Sequence, residues 1–140
     1  MVNGFICEFC GSYLKESAKV PGTKKPLYAV DHKVGGHSLR SSKDIGPFVE
    51  SIISVHPEDL QILCHICHDI KTHSEKLGID FETATYDKIA IKLIKEKLDK
   101  DFCTGRKLPI PSNQDKRRKE IVEILKQENN KTNNKISVNV

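Results

Sequence analysis

Eleven residues, LCHICHDIKTH at positions 63–73, contain two cysteines and three histidines. Thiols and imidazoles gathered this closely are metal-ligand chemistry. Cys64-x-x-Cys67 has a partner near the start of the chain, Cys7-x-x-Cys10. A two-residue gap lets both sulfurs of a pair reach one ion from a tight turn, and two such turns complete a tetrahedral four-thiolate site. The spacing therefore predicts a structural Zn2+ on Cys7, Cys10, Cys64 and Cys67. Four sulfur ligands leave no open position, so that ion clamps the chain and takes no part in a reaction. Of the five cysteines, Cys103 is left over.

A second set of candidate ligands remains: Asp31, His32, His37, Asp59, His65, His68 and His73. Each alone is as well explained by a turn, a surface or a helix face. Their order in the chain is more specific. The segments AVDHKVGGH, EDLQILC and CHICHDIKTH, with the leading CxxC, resemble the HNH endonucleases of the four-cysteine type, common in phages. The resemblance covers residues 5–73, about half of the 140-residue chain. It implies a ββα-metal core (the His-Me finger), a hairpin and a helix around one ion.

By that resemblance His32 is the general base. Asp31 and His68 hold a catalytic divalent cation, Mg2+, Mn2+ or another such as Ni2+ or Co2+. Asp59 stands where the family usually has its middle Asn, and an Asp there can still accept a hydrogen bond from the base imidazole. The chemistry is coherent on its own terms. A neutral histidine has the right pKa to take a proton from water near pH 7. A cation held by one carboxylate and one imidazole keeps positions open for phosphate oxygens. Because neighbours on a regular strand face opposite sides, Asp31 and His32 share a site only if the strand ends, bends or bulges there. His68 and His73 lie about 140° apart around a helix, so His73 falls outside the ligand set, as do His37 and His65.

The elements that must position these residues can be read in part. FICEFCGSY, residues 5–13, reads as a short strand and a turn bent at Gly11, and residues 14–26 as a polar loop. LYAVDHKV, residues 27–34, is the best strand candidate, ended by Gly35-Gly36. Residues 45–55 suggest a short helix with Pro47 in its first turn, stopped by His56-Pro57. The metal-bearing helix is predicted from Cys64 or His65 to Leu77, with Gly78 as its C-terminal cap. Residues 83–102 predict one long helix capped by Thr83 or Thr85, with Tyr86, Ile89, Ala90, Leu93, Ile94 and Leu98 as its apolar stripe. A last helix is expected over 113–128 on Ile121, Val122, Ile124 and Leu125.

Composition bounds the rest. Hydrophobic residues make up 37%, with no Trp, a lean supply for a core that a bound metal would offset. No segment resembles a signal peptide or membrane span, so a cytoplasmic protein is expected, in host cytoplasm if phage-encoded. Residues 87–140 hold 14 Lys and Arg against 8 Asp and Glu, while residues 1–86 are slightly acidic. Lys116-Arg117-Arg118-Lys119 opens the last helix, where cations oppose the dipole. A phosphate partner would account for that run, with Lys71 as a further contact, although a solvated charge run is the simpler alternative.

The reading is an α+β protein with three parts: a zinc-stapled HNH domain over residues 1–82, basic C-terminal helices over 83–128, and a disordered tail over 129–140. It is expected to bind double-stranded DNA and hydrolyse phosphodiesters as a metal-dependent endonuclease. A monomer would nick, a homodimer could cut both strands, and the setting leans to a phage-type homing endonuclease. The alternatives are a non-catalytic, zinc-stabilised DNA-binding module and a toxin-like nuclease.

Overall fold

A computed structural model describes residues 3–34 and 41–136. They form an α+β fold of two separate two-stranded antiparallel sheets and five α-helices. His37 lies outside the described residues, as does Gly35-Gly36. The chain divides into two units, Met1–Glu75 and Lys76–Val140, a division inside the helix that follows Cys64, whereas the sequence suggested one after residue 82. Among the described residues no helix is long and apolar enough to cross a membrane.

In the first unit, β1 (Gly4–Ile6) pairs with β2 (Tyr13–Lys15). The turn between them carries the first CxxC. It is closed by Gly11 N–H donating to the Cys7 carbonyl and Cys7 N–H to the Ser12 carbonyl, both at 2.9 Å. Gly11 has φ +71°, a left-handed backbone that glycine adopts without a Cβ clash. The long strand candidate becomes β3 (Tyr28–His32), paired with β4 (Leu60–Cys64). Between them lies α1 (Ile45–Ile53), preceded by a 3-10 turn in which Ser41 N–H and Oγ both donate to the Asp44 carboxylate. α2 (His65–Leu77) starts where β4 ends, and Gly78 at φ +64° stops it.

The β3–β4 register pairs Asp31 with Gln61 and His32 with Leu60. Residues directly opposite share a face. One face thus carries Ala29, Asp31, Gln61 and Leu63, and the last two are buried. The other carries Val30, His32, Leu60 and Ile62, with Val30 exposed. The outward edge of β4 is also occupied. Glu8 N–H donates to the Ile62 carbonyl at 3.0 Å, and Glu8 Oε1 accepts from Ile62 N–H at 3.2 Å. A side-chain carboxylate there stands in for a strand carbonyl and ties the first knuckle to β4.

The second unit is helical. α3 (Phe81–Lys95) is capped by Asp80, whose carboxylate accepts from Thr83 N–H at 2.8 Å, so neither Thr83 nor Thr85 is the cap. The single helix expected over 83–102 is two, α3 and α4 (Asp99–Thr104). Lys97, at φ +61°, breaks it. Leu98 N–H donates back to the Leu93 carbonyl and Lys97 N–H to the Ile94 carbonyl, which is a Schellman ending with a lysine in the usual glycine position. α5 (Gln114–Ile136) continues through residues 129–136, which the sequence assigned to a disordered tail. Asn129 is held there by donating to Glu82 of α3. Ala90, Cys103, Ile121 and Val122 form the core of this unit, ringed by Tyr86, Leu93, Phe102 and Leu125. Ile89 and Leu98, expected in the stripe, are exposed.

Candidate metal centre

The four motif cysteines arrive from separate elements. Cys7 follows β1 and Cys10 sits in the turn, Cys64 ends β4, and Cys67 lies in the first turn of α2. All four sulfurs lie within 4.8 Å of one another, and Cys10 and Cys64 are 3.9 Å apart. Bonds of about 2.3 Å in tetrahedral geometry would set sulfurs roughly 3.8 Å apart, so the cluster fits an ion such as zinc. Cys67 N–H points at Cys64 Sγ at 3.3 Å, a contact that stabilises negative charge on sulfur. All five cysteines are free thiols. Cys103 lies in the core of the second unit and has no part in the cluster.

The thiols differ in acidity. The Ser12 hydroxyl, 3.1 Å from Cys10 Sγ, and then the Ser12 backbone pull Cys10 down to about 6. Burial pushes Cys64 and Cys67 up. A metal ion that binds here must therefore displace protons from buried thiols, which makes its affinity steeply pH-dependent.

Beside this cluster stand the other residues picked out by sequence. Asp31 Oδ2 is 2.8 Å from Lys71 Nζ, which joins the buried face of the sheet to α2. Lys71 also meets Glu75, one turn on, at 2.5 Å. Burial pulls the Lys71 ammonium down, but the Asp31 and Glu75 carboxylates more than offset this and its pKa is raised. His68 is half-buried one turn before Lys71, on the same side of α2. His32 is the last residue of β3, and the pairing stays regular up to it, so Asp31 and His32 point to opposite faces. His32 Nε2 and His65 Nδ1 are buried without a hydrogen-bond partner.

Asp59 is exposed in the 3-10 turn Pro57–Asp59, and its carboxylate accepts from His56 N–H at 3.3 Å. Its carbonyl accepts from Lys33 N–H at 2.8 Å, which braces the chain just past His32. Gln61 adds a second brace by donating to the His32 carbonyl. Among the described residues the four cysteines form the one grouping of three or more potential ligands within reach of a single ion; Asp31, His32 and His68 do not form another.

The basic run divides by residue type. Arg117 meets Asp99 at 2.7 Å and donates to the carbonyls of Pro111 and Ser112. Arg118 grips both carboxylate oxygens of Asp87. These arginines hold α5 to α4 and α3, a local role that sequence reasoning did not find. Lys116 and Lys119 are exposed. Lys71, expected to contact phosphate, is buried in its two ion pairs. The Lys71–Glu75 contact could have been foreseen from its i,i+4 spacing, but nothing in the sequence joins Lys71 to Asp31. No protein-family model matches this chain, nor does any curated protein or solved structure, so its own residues must carry the functional argument.

Proposed function

We propose that the chain is a metal-dependent DNA endonuclease of the HNH kind, with a zinc ion on the four cysteines as a structural staple. The observation that supports this reading is the order β3, β4, α2 together with the Asp31–Lys71 contact, which brings the carboxylate near the end of β3 to the helix that carries His68. Asp31 and His68 would hold a divalent cation such as Mg2+ or Mn2+. When bound, that ion supplies positive charge at the scissile phosphate and the departing oxygen. His32, the last residue of the same strand, would take the proton from the attacking water, a role that requires its buried ring to turn from the face opposite Asp31 toward the ion. Asp59, through its carbonyl, and Gln61, through its side-chain amide, brace the backbone at Lys33 and His32. Exposed Lys116 and Lys119 are the members of the basic run left to meet the DNA backbone.

A second reading is a zinc-stabilised DNA-binding module without catalysis. The regular pairing that turns Asp31 and His32 to opposite faces favours it. A plasmid-nicking assay with Mg2+ or Mn2+ separates the two. The nuclease reading expects conversion of supercoiled to open-circular DNA, with His32→Ala slower by at least about 100-fold. A parent protein that binds the plasmid and leaves it intact under every divalent ion tried sinks it.

A further inference from the structure

Lys71 is the least expected charge in the first unit. Its side chain is 9% exposed, and its ammonium touches two carboxylates, Asp31 at 2.8 Å and Glu75 at 2.5 Å. An ammonium that buried needs a carboxylate partner at all times, because a charge left unpaired away from water is strongly destabilising. Asp31 is also inside, with a side chain 21% exposed, whereas Glu75 is 44% exposed and free to adjust. A divalent cation approaching Asp31 meets a lysine already bonded to Oδ2.

We propose that Lys71 sets the affinity of the Asp31–His68 site for a divalent cation by competing with it for the Asp31 carboxylate, and that Glu75 is the partner to which the displaced ammonium turns. The inference rests on the nuclease reading for the identity of the site. Its logic is exchange. The ion takes Asp31, Lys71 keeps Glu75, and no charge is left buried alone. Glu75 thereby favours metal binding without touching the metal, and Lys71 opposes it. Both are positioning residues, acting through Asp31.

The test is Mn2+ titration of the zinc-loaded full chain, followed by calorimetry and by the electron-spin signal of free Mn2+. Lys71→Met should bind Mn2+ about tenfold tighter than the parent, and Glu75→Gln about tenfold weaker. In the Lys71→Met background Glu75→Gln should change nothing, because its effect passes through the lysine. A simple sum of charges predicts instead that Glu75→Gln weakens binding equally in both backgrounds, and that result overturns the proposal. So does a Lys71→Met protein that binds Mn2+ no more tightly. Glu75 is exposed, so Glu75→Gln does not threaten the fold and is decisive alone: unchanged affinity overturns the exchange, weaker affinity supports it. Asp31→Asn keeps the two levels apart. If it abolishes Mn2+ binding while Lys71→Met has no effect, only the role of Lys71 falls. If Mn2+ binding is absent in the parent or indifferent to Asp31→Asn, the nuclease site falls with it.

Discussion

Arg117 and Arg118 are neighbours in sequence, yet they bond to carboxylates on different helices, Asp99 of α4 and Asp87 of α3. Consecutive positions on α5 point about 100° apart, so each arginine reaches a different neighbour. Asp87 is more enclosed than Arg118, so the two partners are not equivalent. Arg118→Met should destabilise the second unit by roughly 3 kcal/mol in urea unfolding, because it takes the guanidinium away from a buried carboxylate. Asp87→Asn should cost less, since the freed guanidinium can reach water. Equal losses would contradict this account. Asp99 gives a pH dependence. Burial pushes its carboxyl up, but Arg117 more than offsets this and holds it below the ordinary 3.8. A carboxyl lowered by folding contributes stability that is present above its unfolded value and lost as pH falls through the folded one. The second unit should therefore lose thermal stability as pH falls below the ordinary 3.8 and through the lower folded value, and Asp99→Asn should flatten that slope. At this scale the thiols were legible because a CxxC pair declares its geometry through spacing. The carboxylate partners were not, because an ion pair between distant residues leaves no local pattern.

Elements were legible where one local rule governs them. The β-branched and aromatic run around Tyr28–His32 became β3, and the Gly78 stop of α2 lies where it was expected. Gly78 has φ +64° and open space where a Cβ would stand, so its requirement is conformational alone. Gly78→Ala should cost about 1 kcal/mol in denaturant unfolding, and no measurable loss would show that α2 ends by another means. The break between α3 and α4 escaped the sequence because a lysine, not a glycine, holds the left-handed position. The pattern of Leu93 and Leu98 allowed one continuous helix as readily as two. The strand carrying Asp31 and His32 shows the reverse limit. Its residues were found, but its regularity up to His32 depends on pairing with β4, which sequence alone does not reveal.

As a whole molecule the chain has two units that are stabilised by different means. Among its described residues the first buries few large side chains, Leu14, Leu63 and Ile70 included, and gathers four thiols at one point. The second relies on an apolar helical core bordered by ion pairs. With zinc loaded on the four cysteines, a strong chelator should therefore release hydrogen-exchange protection in β3, β4 and α2 first, while α3 and α5 keep theirs. Simultaneous loss in all of these elements would show that the two units unfold together. Charge follows the same division, and the basic excess of residues 87–140 lies on α3, α4 and α5 and the segments joining them.

The bond pair between Glu8 and Ile62 has a further consequence. β4, with the sequence LQILC, is a short apolar strand with β3 on one side. On its other side the N-terminal knuckle occupies the backbone groups of Ile62 that a foreign strand would need. If the cysteine cluster opens, that knuckle is held to β4 by the Glu8–Ile62 bonds alone, and an apolar strand edge comes closer to the reach of other copies. An ion bound by these four sulfurs would thus also shield a strand edge of the kind that nucleates aggregates when exposed.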